Sequence, residues 1–334
     1  MTTIQQPARR FSEIIGLGVH RPSVVVSNED ICKNIDSSDE WIRERSGIIE
    51  RRFADSSTSI IDMAVDASRK AIDDAGISPS QINTVLLATI SHPYQTPSAA
   101  VLVANRLGLD DVGATDLSAA CAGFTYAIGI ADGLISTCQS DYVLVIGVEK
   151  LSDWTDKHDR SSAFIFADGA GAIVLGPSDS PGVGPTVWGS DGSEFDAIVC
   201  LPDWLSLRNN NETEGAWPVL HMQGQKVFRW AVGEMPDVAA RAIAKAGLEP
   251  SDIDLFIPHQ ANMRITDAMV KSLGLRADVK IARDIQTAGN TSAASIPLAM
   301  EKMRSEGVAQ KGELALLIGF GAGLAYAAQV VRFP

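Results

Sequence analysis

The sequence predicts an α/β protein of two related halves, each made of short apolar strands packed under helices. Three observations lead there: a segment that occurs twice, strands too apolar to have a wet face, and a glycine- and proline-rich join midway. Residues 71–82 read AIDDAGISPSQI and residues 242–253 read AIAKAGLEPSDI, agreeing at seven of twelve positions at an offset of 171. Each copy ends a helix on glycine, Gly76 or Gly247, the residue that most easily takes the left-handed backbone after a last helical turn. An apolar strand follows in both cases, Thr84–Thr89 in the first and Leu255–Pro258 in the second. LVIG at 144–147 is echoed by LLIG at 316–319. Between these echoes, DLSAACAGFTYA (116–127) corresponds to TAGNTSAASIPL (287–298), small-residue segments that each lead into a helix. Echoes in one order at nearly one spacing mark an internal repeat. Runs such as YVLVIGV (142–148) are nearly all apolar, as strands are when helices cover both faces. The segment GPSDSPGVGP (176–185) is the connector, dividing the chain into 1–177 and 178–334. Two sheets with helices outside and between them bury such strands.

Composition narrows the function. The chain has 334 residues, 46% hydrophobic and 21% charged, enough apolar material for a sizeable core. Lys plus Arg is 28 against 41 Asp plus Glu, so the net charge is 28 − 41 = −13. That field repels phosphate and predicts no nucleic-acid partner. Cys32, Cys121, Cys138 and Cys200 are too sparse for a disulfide framework and lack zinc-ligand spacing. The N-terminal MTTIQQPARRFSEIIGLGV has no apolar signal-peptide core. Leu314–Val331 runs 18 residues without a charge, but Gly319, Gly321, Gly323 and Gln329 make it a strand, a glycine turn and a strand. A cytoplasmic protein with no membrane insertion is expected. LPDWLSLRNNNETEGAW (201–217) predicts a surface excursion or lid.

Chemistry concentrates at a few positions. Cys121 precedes a helical pattern marked by Phe124, Ala127, Ile128, Ala131 and Ile135. It therefore sits near a helix N-terminus, whose positive end favours a thiolate. His259 directly follows a buried strand, where sites gather in open α/β sheets, and can serve as base or hydrogen-bond donor. Asn290, in AGNTSAAS, lies in the second-half counterpart of the Cys121 segment. If the halves pack about a pseudo-twofold, the two residues face one cleft. GFGAGLAY (319–326) offers closely spaced backbone N–H groups for an oxyanion. It is not a dinucleotide fingerprint, because Leu324 stands where the third glycine belongs. FADGAG (166–171) reads as a hairpin turn at Asp168-Gly169.

The segments SSDEWIRERSGI (37–48), DLSAACAGF (116–124), FADGAGA (166–172), PHQAN (258–262) and GNTSAASIP (289–297), with the C-terminal glycine turn, resemble the β-ketoacyl-acyl carrier protein synthase III family in order and spacing. The resemblance implies a thiolase-like layered αβαβα fold, two pseudo-repeated halves each with a mixed five-stranded sheet, and a homodimer. It implies a Cys121, His259 and Asn290 triad that acylates the cysteine from acyl-CoA, then condenses the acyl group with malonyl-acyl carrier protein as the malonyl group loses CO2. No metal or redox cofactor is implied. The Cys121 and Ala322 backbone N–H groups would form the oxyanion hole, with Gly321-Ala322-Gly323 where the family's usual motif has three glycines. Trp41, Arg45, Arg160, Gly224, Phe228, Ala261 and Asn262 would contact CoA, and Arg229, Arg264 and Lys271 would dock the acidic carrier protein. Thr96 stands where acetyl-preferring relatives carry a bulky aromatic that reaches into the partner subunit's acyl pocket, which points to a primer longer than acetyl. Alternatives are a secondary-metabolite condensing enzyme of the same fold, a papain-like hydrolase, whose C-G-[SA]-C signature is missing, and a non-catalytic acyl-binding scaffold.

Overall fold

The computed structural model describes residues 8–209 and 217–334. Ten strands form two five-stranded sheets. The first holds β1 (Phe11–His20), β2 (Ile82–Ala88), β3 (Gly113–Leu117), β4 (Tyr142–Lys150) and β5 (Asp168–Ser178). The second holds β6 (Val187–Gly189), β7 (Leu255–Pro258), β8 (Lys280–Ile281), β9 (Leu314–Phe320) and β10 (Tyr326–Arg332). The strand order is 1-5-4-2-3 in the first sheet and 6-10-9-7-8 in the second, the same order twice. In each sheet the first two pairings are antiparallel and the last two parallel. The repeat in the sequence is thus a repeat of topology, and both sheets are mixed.

Alternation along the strands builds the layers. Val143 and Val145 of β4, with Ala315 and Leu317 of β9, face a central core that contains the helices Gly123–Ser136 and Ser295–Ser305. The intervening Leu144 and Ile146 point outward to the helices Ile60–Ala75 and Ala99–Leu107. Leu316 and Ile318 likewise point outward to Gly224–Lys245 and Met263–Leu273. The result is five layers: helix, sheet, helix, sheet, helix. Phe124, Ile128 and Ile135 of the central helix are fully buried, each stabilising the fold by about 1.5–3 kcal/mol.

Two glycines let the halves meet. A Cβ on Gly147 of β4 would lie 2.3 Å from the Ala293 carbonyl oxygen, and one on Gly319 of β9 would lie 3.0 Å from the Cys121 carbonyl oxygen. The start of each central helix therefore rests on the opposite half's central strand. Gly76 and Gly247 close their helices at φ +66° and +72°, as the repeat predicts. Leu314–Val331 is a strand, a turn and a strand, also as expected.

Other expectations need correction. Ala120 and Ser292 share an unusual left-handed backbone, φ +46° and +48°, so the helix starts correspond at an offset of 292 − 120 = 172, and Cys121 matches Ala293. The Asp168-Gly169 hairpin turn does not form. Asp168 opens β5 opposite Lys150, and its carboxylate accepts from Ala54 N–H and from Ser152 N–H and Oγ–H. The small residues there serve packing, since a Cβ on Gly171 would lie 2.5 Å from Pro297 of the central helix. In 201–217 the structure forms a short helix, Trp204–Asn209, and packs Trp217 against Trp154 with ring centroids 5.1 Å apart and the planes tilted by 47°. The polar middle, 210–216, lies outside the described residues. No helix among the described residues is long and apolar enough to cross a membrane.

Candidate active site

Cys121, His259 and Asn290 line one cavity of about 700 Å³. Each hangs from a place the fold makes rigid. Cys121 lies in a single 3-10 turn, Ala120–Ala122, that runs into the central helix Gly123–Ser136. His259 follows β7 directly, with its backbone N–H on the Ile318 carbonyl of β9 at 2.7 Å. Asn290 is stitched to the first half, its N–H on the Ile165 carbonyl and its carbonyl on the Ala167 N–H, both at 2.9 Å. Nucleophile and carboxamide thus come from opposite halves and converge.

The hydrogen bonds orient both polar groups as donors. Ser295 Oγ lies 2.7 Å from His259 Nδ1 and accepts the Gln260 N–H at 3.3 Å. Were Nδ1 the donor, the buried hydroxyl proton would lack an acceptor. The hydroxyl therefore donates to Nδ1, and the ring hydrogen is assigned to Nε2. Burial pushes the imidazole down to about 3, so it is neutral. The Phe320 ring meets it edge to face at 5.4 Å. Asn290 Oδ1 accepts the Ser292 N–H at 2.9 Å, which leaves Nδ2 with hydrogen to donate. The cavity wall therefore offers N–H groups from both residues to an oxygen carrying negative charge.

The expectation of an easily ionised Cys121 is not met. Burial pushes its thiol up to about 12, and desolvation outweighs the helix end. Gly321 packs against it, since a Cβ there would lie 3.0 Å from Sγ. Cys121 and Ala322 each lie in the first turn of a short helical segment, where N–H groups have no intrahelical acceptor. Alanine at 322 costs nothing in backbone strain, because the left-handed residues in that turn are Gly323 (φ +71°) and Leu324 (φ +38°).

At the mouth, Arg160 stacks over Trp41 with Cζ 4.5 Å from the ring centroid, and Arg45 lies at 5.6 Å. Ser38 caps the helix that carries Trp41, accepting the Trp41 N–H. Arg264 lies over Phe228 at 5.1 Å. Asn262 caps the helix Met263–Leu273 and donates to the Arg45 carbonyl at 2.9 Å, fastening the two sides of the entrance. Gly224, Arg229 and Ala261 also line the cavity. Among the described residues, none forms an ion pair with Arg45, Arg160, Arg229 or Arg264. Lys271, expected on the docking surface, is exposed on the helix Met263–Leu273, and Thr96, expected to face a partner subunit, is exposed beside Tyr94; neither lines this cavity.

Sequence reasoning missed a second cavity of about 540 Å³ that shares Ile90, Ala120, Ile198, Leu220 and Ala322 with the first and reaches Tyr126, Trp154 and Cys200. It also missed Ser295. The only trace of either is a serine among small residues and a scatter of apolar side chains, which no local pattern marks.

The layered fold and its three convergent side chains define a thiolase-fold condensing enzyme, an acyltransferase. The family model described as 3-oxoacyl-[acyl-carrier-protein] synthase III matches residues 115–192, and its C-terminal model matches 243–333. The β-ketoacyl-[acyl-carrier-protein] synthase III 1 of Streptomyces coelicolor is 52% identical over 97% of both chains. The mycobacterial β-ketoacyl-[acyl-carrier-protein] synthase III of Mycobacterium marinum is 52% identical over 96% of this chain and 95% of its own. Among solved structures, the priming β-ketosynthase of the R1128 polyketide pathway superposes with a TM-score of 0.97 at 43% identity, covering 100% of this chain and 99% of its own. The 3-oxoacyl-[acyl-carrier-protein] synthase III of Aquifex aeolicus gives 0.88 at 39% identity over 96% and 100%. The chain belongs to the β-ketoacyl-acyl carrier protein synthase III family.

Proposed function

We propose that this enzyme initiates fatty-acid synthesis by condensing an acyl-CoA primer with malonyl-acyl carrier protein, in the cytoplasm and as a homodimer. The observation that carries the reading is the pair of N–H donors lining one cavity with the Cys121 thiol. In the first step Cys121 Sγ attacks the primer carbonyl, the Cys121 and Ala322 N–H groups hold the developing oxyanion, and CoA leaves. In the second, the malonyl thioester oxygen lies against His259 Nε2–H and Asn290 Nδ2–H. These donors stabilise the enolate left as CO2 departs, and its carbon attacks the acyl-cysteine. A neutral imidazole suits this role, because it donates a hydrogen bond without carrying a proton it would readily lose. Residues 1–177 supply the nucleophile and 178–334 the enolate donors.

CoA enters along Trp41, Arg45, Arg160, Gly224, Phe228, Ala261 and Asn262, with adenine between Trp41 and Arg160. The acidic carrier protein docks on Arg229, Arg264 and Lys271, a local positive patch on a chain of net charge −13. Arg264→Glu is expected to weaken carrier-protein use by roughly tenfold while leaving CoA release nearly intact. Equal loss of both activities would remove the docking assignment.

The second cavity next to Cys121 gives room for an acyl chain, and Thr96, exposed on its own chain, leaves the neighbouring subunit's pocket open. Turnover with lauroyl-CoA is therefore expected to match or exceed that with acetyl-CoA, measured by mass spectrometry of the product with malonyl-acyl carrier protein. A strong acetyl preference ends the long-primer reading. Product formed equally well from malonyl-CoA ends the carrier-protein one.

A further inference from the structure

A fully buried carboxylate stands behind the nucleophile. Glu149, near the end of β4, has no solvent exposure. Its Oε2 accepts Ser91 Oγ–H at 2.6 Å, the Ile90 N–H at 3.1 Å and Thr89 Oγ1–H at 3.2 Å. Among the described residues, no cation is bonded to it. The adjacent Lys150 turns away to the Asp55 and Thr58 carbonyls at 3.1 Å and to Asp153 at 3.5 Å. The titratable group that faces Glu149 is Cys121; Thr89, Ile90, Ser91 and Ser292 complete its surroundings without charge.

Ser292 is 1% exposed and lines the same cavity as Cys121, and its hydroxyl has no hydrogen-bond partner among the described residues. The turn that carries it packs against β4, where Gly147, two residues before Glu149, meets the Ala293 backbone. From there the hydroxyl lowers the pKa of both the Cys121 thiol and the Glu149 carboxyl. The fold does not require that hydroxyl: the matching position in the first half, with the same left-handed backbone, is Ala120.

We propose that Ser292 and Glu149 form a proton path for Cys121, an inference that rests on the condensing reaction described above. As Sγ bonds to the primer carbonyl carbon, its proton passes to Ser292 Oγ, and the Ser292 hydroxyl proton passes to the Glu149 carboxylate. The carbonyl reforms, the bond to the CoA sulfur breaks, and the CoA thiolate takes a proton from solvent. Condensation later breaks the acyl–Sγ bond and frees Cys121 as thiolate. Glu149 then returns its proton through Ser292, restoring the starting charge. Transfer accompanies S–C bond formation because the sulfur becomes strongly acidic only as it bonds to carbon. Burial raises the Glu149 carboxyl to about 7, whereas it lowers His259 to about 3, so the carboxylate is the better proton acceptor of the two. Ser292 would touch the reacting thiol; Glu149 acts through it.

The test separates the two half-reactions in the full-length enzyme. Single-turnover CoA release from acyl-CoA is measured in H2O and D2O, and condensation is measured on enzyme already acylated. Ser292→Ala is expected to slow CoA release by roughly 10²-fold and change its solvent isotope effect, with condensation on the pre-acylated enzyme unchanged. In the wild type, CoA release should accelerate as pH rises through about 7, when Glu149 ionises; in Glu149→Gln that rise should vanish. CoA release by Ser292→Ala within twofold of wild type, or equal slowing of both half-reactions, overturns the path even if Glu149→Gln fails to fold. A wild type that releases no CoA would instead overturn the condensing function itself.

Discussion

Cys121→Ala should release no measurable CoA from acyl-CoA, a loss of ~10⁴-fold or more, as when an enzyme is deprived of its only nucleophile. The expectation follows from what remains. The backbone N–H groups of residues 121 and 322, the Trp41–Arg160 stack and both enolate donors survive the substitution, so acyl-CoA should still bind. No other thiol is placed to take over: Cys200 lines the second cavity, which neither His259 nor Asn290 lines, and Cys32 and Cys138 line neither cavity. Binding measured by calorimetry should therefore persist while stoichiometric CoA release and the acyl mass increment on the protein disappear. An acyl adduct on the variant, or on another residue of the wild type, would refute the assignment of the nucleophile.

The second large effect falls on stability. Gly147→Ala should destabilise the protein by about 3 kcal/mol or more, the upper range for overpacking a core. The obstacle is backbone: the added carbon would sit 2.3 Å from the Ala293 carbonyl oxygen and 3.2 Å from the Ala294 nitrogen. No rotamer change relieves that. The strand and the central helix must separate, and the Asn290 segment that precedes the helix moves with them. Urea or thermal unfolding of the purified variant checks this, with activity measured below the transition. A midpoint equal to wild type would show that the two halves are not pressed together at this glycine.

Much of the fold was legible because it is written twice. The glycine that ends each outer helix, the apolar strand that follows and the small-residue entry to each central helix are local patterns. Each sets its own backbone geometry, so each survives translation into structure. The Asp168-Gly169 pair shows the limit. Asp-Gly signals a turn locally, but a carboxylate able to satisfy Ala54 and Ser152 at once, and glycines thin enough to admit Pro297, are worth more inside a strand. Cys121, His259 and Asn290 were readable as candidates, and they do line one cavity, but their electrostatics were not. A helix end beside Cys121 can be inferred from sequence, whereas the desolvation that overrides it depends on Gly321, in the other half of the chain. Ser295, Ser292 and Glu149 were hidden for the same reason, since what they touch is set by the meeting of separate strands and helices.

Repetition of one strand order about a common centre has a consequence for how such an enzyme can change. The entrances of the two central helices are equivalent positions of one repeat, and the cavity opens where they meet. Substrates have no such repetition. Chemistry at that junction therefore demands that equivalent positions diverge, and they have: a thiol at 121 corresponds to a plain methyl group at 293, and a methyl at 120 to a hydroxyl at 292. Specialisation here consists of breaking a likeness that the backbone still preserves.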